Sequence, residues 1–350
     1  MRSVRTHYLS DGKLFNDGRP AVLIEVDGPG DLDALHRRII DAGYYDSDFF
    51  VRHSGYQGGQ LISHFFFVAE LVRHLRPRRV IEAGCGRGDV LYLLSLAGVE
   101  VAGIDFSEDV FAQAWPSLRS RLSFGDLRDV LIELGQAPTR FDVLCGFDIW
   151  EHLPPHRLGD YLDAMVGVGT EDAFFVSVMP AFGEDPVFGE KFPLEFEENR
   201  DAHEGGRPYR YLLADANVPE VPALGHLIWA PSAWWERTFA EHGLIRLPEL
   251  ERPLHHFFDP FLPRSVQAFF VLRRDTPEAA ARAARLAAAP YGRRDFTRTM
   301  LHLARLRRGP DGPVRFDTDL RPRVFESWRS RLGLLARDRW GRIRERARPG

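Results

Sequence analysis

From Arg79 onward, short unbroken apolar runs alternate with helical segments, and this alternation constrains the fold more than any other feature of the chain. Val80 to Ala83, Val99 to Ile104, Arg121 to Phe124, Phe141 to Gly146 and Ala173 to Val178 read as strands. Asp89 to Ala97, Ser107 to Ala114, Leu127 to Leu134 and Arg157 to Val166 read as the helices between them. Strands joined one after another through helices run parallel, because a parallel neighbour needs a long crossover. The strands are continuously apolar and do not alternate, so both faces of the sheet are expected to be buried. Ser107 ahead of Glu108 and Asp109 predicts a helix cap with acids in the first turn. Leu244 to Leu250 and Val266 to Leu272 predict two more strands joined by a loop, an antiparallel pair at the sheet edge.

The flanks are different in texture. Ala21 to Val26 reads as a strand, Asp27-Gly-Pro-Gly30 as a turn and Leu32 to Ala42 as a helix. An aromatic and acidic stretch, Gly43 to Phe50, leads into the loop His53 to Gly59, and Leu61 to Leu75 reads as a buried helix. Pro180 to Gly225 shows no clean period, but Phe182, Phe188, Phe192, Phe196, Tyr209 and Tyr211 argue for an ordered binding lid. Trp229, Trp234 and Trp235 are assigned to a helix that includes Ser232 to His242. After Arg274 the chain is rich in Ala and Arg and helical, broken at Pro290 and Gly309-Pro310. The expected organisation is a cap over residues 1–76, a core over 77–273 with the lid at 180–225, and a helical extension over 274–350.

Charge is distributed unevenly. Residues 275–350 hold 19 arginines and 9 acidic residues, a surplus of 10, so the remainder carries −14 of the net −4. Trp328, Leu332, Leu335 and Trp340 interleave with five of these arginines, which allows peripheral membrane contact. The acids Asp317, Asp319, Glu326, Asp338 and Glu345 in the same tail weigh against that partner and against nucleic acid. Two cysteines, Cys85 and Cys145, exclude a disulfide scaffold. No apolar run approaches the ~18 residues of a membrane span, and the first residues lack a secretory pattern, so a cytoplasmic location is expected.

The sharpest local motif is Val80-Ile-Glu-Ala-Gly-Cys-Gly-Arg-Gly88, a strand, a glycine turn and then a helix. Glycines there let backbone approach a ligand closely, and the helix start offers free N–H groups. A dinucleotide fingerprint would place its third glycine at position 89, where this chain has Asp89. Glu82 beside the turn would repel a pyrophosphate but could accept from a cationic ligand or order the loop.

With Glu82, Gly84, Gly86 and Gly88 in E-x-G-x-G-x-G spacing, the chain resembles the class I S-adenosylmethionine-dependent methyltransferases. The resemblance covers about Arg79 to Leu272 and implies a seven-stranded, mostly parallel Rossmann-like sheet. It implies that Asp105 accepts from the ribose hydroxyls, that Phe106 stacks on adenine, and that Asp126, next to Leu127, accepts from the adenine amine. Cys85 in the turn, and Gly146 and Phe147 at the end of the fourth strand, complete the implied cofactor set. The loop Asp148-Ile-Trp-Glu-His152 resembles the family's loop after that strand, and Gly225-His226-Leu resembles a family element closing the lid. His152 and His226 are the candidate bases, with Asp148 as a possible partner of either. Tyr44, Tyr45 and Asp46 resemble a segment that closes over the cofactor.

The implied activity is methyl transfer to a small molecule, with oxygen of a sugar or secondary metabolite as the expected acceptor. The alternatives are an RNA methyltransferase using the basic tail, and a non-catalytic scaffold with the same fold. Neither a Pro-Cys nor an Asn/Asp-Pro-Pro-aromatic signature is present for base methylation. No Asp/Asn cluster follows the fifth strand and His255-His256 alone make no site, so no metal is expected.

Overall fold

The computed structural model describes residues 1–9, 20–46, 60–193, 197–215, 218 and 220–317. The loop His53 to Gly59 and the tail beyond Asp317, with its tryptophans and arginines, lie outside the described residues, as do residues 47–50.

The chain begins with strands β1 (Arg2–Leu9) and β2 (Pro20–Glu25), then helix α1 (Pro29–Asp41) and helix α2 (Phe65–His74). The alternating region follows as β3 (Arg79–Ala83), α3 (Asp89–Leu96), β4 (Glu100–Asp105), α4 (Glu108–Ala112) and β5 (Leu122–Phe124). It continues as α5 (Leu127–Gln136), β6 (Phe141–Phe147), α6 (Leu158–Gly167) and β7 (Gly169–Val178). Then come β8 (Ala181–Phe182), α7 (Glu197–Glu204), β9 (Tyr211–Leu213), β10 (Ala230–Pro231), α8 (Ser232–Glu241) and β11 (Leu244–Arg246). Helix α9 (Pro248–Phe258), β12 (Phe269–Arg274), α10 (Pro277–Ala287) and α11 (Arg293–Arg305) complete the described helices and long strands.

Seven strands form one sheet in the order β11-β12-β7-β6-β3-β4-β5. Its first five strands in chain order, β3 to β7, pair in parallel, whereas β12 is antiparallel to β7 and β11 to β12. This is the seven-stranded, mostly parallel Rossmann-like sheet that the resemblance implies. Burial on both faces holds residue by residue. Leu144 and Phe175 join one core cluster, whereas their neighbours Val143, Cys145, Phe174 and Val176 join the other. The chain leaves β3 toward β4 and β5, then returns to lay β6 on the other side of β3. That reversal opens a crevice at the carboxyl ends of β3 and β6, where open α/β sheets bind ligands.

Several expectations need correction. The strand expected over Leu244 to Leu250 ends at Arg246, and helix α9 replaces the expected loop. Pro248 sits in its first turn, where a missing N–H costs nothing, and Pro253 lies inside it. Buried Arg246 donates to Glu251 (2.8 Å) and Asp185 (2.7 Å), tying this corner to the segment after β7. Pro180 to Gly225 is not irregular, for it holds β8, α7 and β9. Strand β9 pairs with β2, so cap and lid share a three-stranded sheet in the order β1-β2-β9. Trp229 precedes α8 and lies outside it. The buried helix starts at Phe65, because Leu61 instead donates its N–H to the Arg315 carbonyl (2.8 Å).

The extension folds back onto the core. Arg282 of α10 donates to the Asp142 carboxylate (3.1 Å) and the Leu75 carbonyl (2.9 Å), with its guanidinium over Phe174. His255 stacks on Phe269 and pairs with Asp259, a structural role. No helix among the described residues is long and apolar enough to cross a membrane.

Candidate active site

A cavity of about 530 Å³ occupies the crevice. That is the scale of a small-molecule site. Its floor is the glycine turn. Gly84 (φ 63°), Gly86 (φ 54°) and Gly88 (φ 82°) all take left-handed backbone, which other residues adopt only at a cost. A Cβ at Gly84 would stand 2.9 Å from the Ile149 side chain.

Asp105 ends β4 and holds the turn. One carboxylate oxygen accepts from the Gly86 N–H (2.8 Å), the other from the Ser107 N–H (2.9 Å). Burial raises its carboxyl while these backbone bonds pull it down. Asp105 lines the cavity, and a carboxylate has acceptor capacity beyond these two bonds. Phe106 beside it is 38% exposed, an apolar ring left facing the cavity. Ser107 caps α4 as expected, accepting from Val110, and its hydroxyl donates to the Tyr45 carbonyl.

Glu82, only 4% exposed, has one carboxylate oxygen with no hydrogen-bond partner. Its carboxyl is held well above the usual range, first by burial and then by Asp89 and Asp105. Asp89, a wall residue that sequence reasoning did not select, accepts from Arg87 (2.8 Å) and from the Trp115 indole (2.7 Å). The glycine-turn side of the cavity therefore gathers three acidic side chains, Glu82, Asp89 and Asp105. Cys85 lines it as well, with its thiol pushed well up by burial.

Asp126 also reaches the cavity, but its carboxylate caps α5 through the Arg128 N–H (3.0 Å) and the Asp129 N–H (3.3 Å). Tyr161 donates to its other oxygen (3.4 Å). Leu127 and Phe147 line the wall. Gly146 does not. A Cβ there would fall 2.5 Å from the Trp150 indole, so this glycine makes room for packing beneath the site.

The far side of the cavity gathers residues from three distant segments. Asp148 follows β6 with positive φ (51°), its N–H fixed to the Val178 carbonyl (2.9 Å). It opens onto the cavity, and desolvation at this site raises its carboxyl. No hydrogen bond joins Asp148 to either histidine among the described residues. His152 instead donates from Nδ1 to the Gly225 carbonyl (3.2 Å), with the Tyr45 hydroxyl 3.4 Å away. Its imidazole is pushed down to about 4, chiefly by burial. His226 lies 4.9 Å from His152, ring centre to ring centre, and burial holds it well below its ordinary value. Tyr45 packs edge-on against both Phe106 (5.1 Å) and His152 (5.6 Å), covering the junction of the two sides. Phe182 and Trp229 stack at 4.8 Å and close the lid wall.

Twelve of the thirteen expected site residues thus line one cavity, Gly146 being the exception. Sequence reasoning missed Asp89 and Tyr161 as cavity-lining residues.

No family model matches the chain, and no curated protein matches it. Solved structures similar to it include a Burkholderia thailandensis 1,6-didemethyltoxoflavin-N1-methyltransferase with bound S-adenosylhomocysteine. That match has 15% identity over 77% of this chain and 99% of that one, with a TM-score of 0.44. Another is CalS10, an amino pentose methyltransferase from Micromonospora echinaspora with bound SAM, at 19% identity over 67% and 96% (TM-score 0.40). The mitomycin 7-O-methyltransferase MmcR matches at 13% identity over 69% and 60% (TM-score 0.42). At these identities and scores the likenesses say nothing of this chain's substrate.

Proposed function

We propose that the cavity binds S-adenosylmethionine and that the protein transfers its methyl group to an oxygen of a small molecule. The observation that carries this reading is the glycine turn set between two acidic side chains with acceptor capacity to spare, Glu82 and Asp105, while neighbouring Asp89 is already matched by Arg87. A ligand with cationic and hydroxyl donors meets acceptors there, whereas a pyrophosphate, itself an acceptor, does not match them.

The residues present fit that cofactor. The unpartnered Glu82 oxygen accepts from its cationic amino acid end, and the Asp105 lone pairs accept from the ribose diol. Phe106, already exposed, covers the adenine, while Asp126 and Leu127 border it. When bound, the cofactor supplies an activated methyl on a sulfonium, an excellent leaving group. The chain's own work is then to align an acceptor and receive its proton. Asp148, a cavity residue with a raised carboxyl, is placed to receive that proton, and burial makes His152 a weaker base than a free imidazole. His152 and His226 position the acceptor, and Tyr45, Phe182 and Trp229 exclude water.

Titration calorimetry with S-adenosylmethionine and S-adenosylhomocysteine tests the reading, with NAD as the comparison ligand. Saturable heat from the first two alone is expected. Binding of NAD alone, or no heat at all, sinks it.

A further inference from the structure

Glu151 is the least conventional group in the molecule. It is wholly buried, yet neither carboxylate oxygen has a hydrogen-bond partner. Buried carboxylates are costly unless bonded or paired, so an arrangement like this needs an explanation. Its nearest polar neighbours are two imidazoles. His226 Nε2 stands 4.0 Å from Glu151 Oε1, too far to bond, and one ligand atom each of Glu151, His152 and His226 fall within 4.8 Å of one another.

We propose that Glu151, His152 and His226 hold a divalent first-row transition-metal ion whose open positions face the cavity. Three atoms no more than 4.8 Å apart leave a centre at most about 2.8 Å from each. Closing to the ~2.0–2.2 Å of a metal bond takes shifts of under 1 Å. Two imidazoles and one carboxylate form the donor set that suits such ions over magnesium or calcium, and it leaves positions open for ligand oxygens.

The surroundings hold these three side chains in place. His152 gives its Nδ1 proton to the Gly225 carbonyl, which leaves the lone pair on the other nitrogen. Metal-bound histidines are commonly oriented in this way. Leu224 (φ 57°) and Gly225 (φ 74°) take consecutive left-handed conformations that swing His226 toward Glu151. A non-glycine residue there stores backbone strain, which recurs at functional sites. The Leu227 N–H (2.7 Å) and Ile228 N–H (3.2 Å) both donate to the Glu151 carbonyl, so the two loops are tied together. The ion would sit across the cavity from Glu82 and Asp105 and bind the acceptor through oxygen atoms. The inference rests on these side chains alone and stands whether or not the cofactor is S-adenosylmethionine.

The test uses the full chain, stripped with chelator and titrated with Mn²⁺ while the free-ion paramagnetic resonance signal is followed. One saturable site per chain is expected. Glu151→Gln and His226→Ala should each weaken it at least tenfold, whereas His242→Ala, at the surface, should leave it unchanged. Thermal melting and S-adenosylhomocysteine calorimetry on the same variants separate loss of metal from loss of fold or of the cofactor reading. Should Glu151→Gln fail to fold, His226→Gln carries the same expectation. Absence of saturable binding of Mn²⁺, Co²⁺ or Zn²⁺ to the native chain overturns the proposal. So does Mn²⁺ binding that is unchanged in a folded Glu151 or His226 variant.

Discussion

Replacing Asp105 by alanine tests the cofactor side of the site at its centre. The carboxylate accepts from two backbone N–H groups, those of Gly86 and Ser107, at 2.8 and 2.9 Å. Its removal leaves both donors without their acceptor in a region where Asp105 itself is only 9% exposed. An orphaned buried donor costs roughly 1–3 kcal/mol, so a loss of about 2–4 kcal/mol in stability is expected, allowing for water entering the gap. Binding loses more. Two charge-assisted bonds to a diol, and the fixed geometry of the turn, together account for about 3 kcal/mol, roughly a hundredfold in Kd. Asp105→Asn separates the effects. Its amide keeps the volume but offers one acceptor where two are needed, so an intermediate loss is expected. Melting temperature reports the first term and S-adenosylhomocysteine calorimetry the second. An Asp105→Ala protein that melts normally and binds within threefold of the native Kd would refute the assignment. Asp126→Ala provides the contrast. Its carboxylate is already committed to capping α5, so about 1 kcal/mol of stability should go, with a smaller change in affinity.

Other outcomes follow from the packing. Arg282→Ala should destabilise the protein by about 1–3 kcal/mol in chemical denaturation, because it takes one charged partner from buried Asp142, which keeps the Arg78 and Arg79 N–H donors. Gly146→Ala should cost about 1–3 kcal/mol, since its Cβ overlaps Trp150, and near-ultraviolet circular dichroism should show the indole displaced. His64 is pushed down to about 4, chiefly by burial. A histidine with a lowered folded value stabilises above its unfolded value near 6.5 and loses that stability as pH falls toward 4. The ceiling is about 3 kcal/mol. Denaturation midpoints between pH 7 and pH 4 should therefore drop less in His64→Gln than in the native protein.

The alternating apolar runs were enough to assign the sheet, because a strand buried on both faces must be apolar at every position and a parallel neighbour requires a crossover. The glycine turn and the acids at the ends of β4 and β5 were readable for a related reason. They are local features, and strand order carries them to one edge without further information. Helix α9 was not readable, since Pro248 and Pro253 argue for a loop until the buried partners of Arg246 are known. The strand β9 likewise escaped notice. Three residues carry no period, and what makes them a strand is β2, which lies far upstream.

The acceptor side depends most heavily on tertiary structure. Glu151 and His152 are neighbours in the chain, but His226 reaches them only because the lid is anchored by β9 to the cap and by Leu227 and Ile228 to the Glu151 carbonyl. Periodicity and spacing report what a residue does within a few positions along the chain. They are silent on which distant loop the packed core will bring alongside, and at that meeting of loops an ordinary buried carboxylate becomes a candidate ligand.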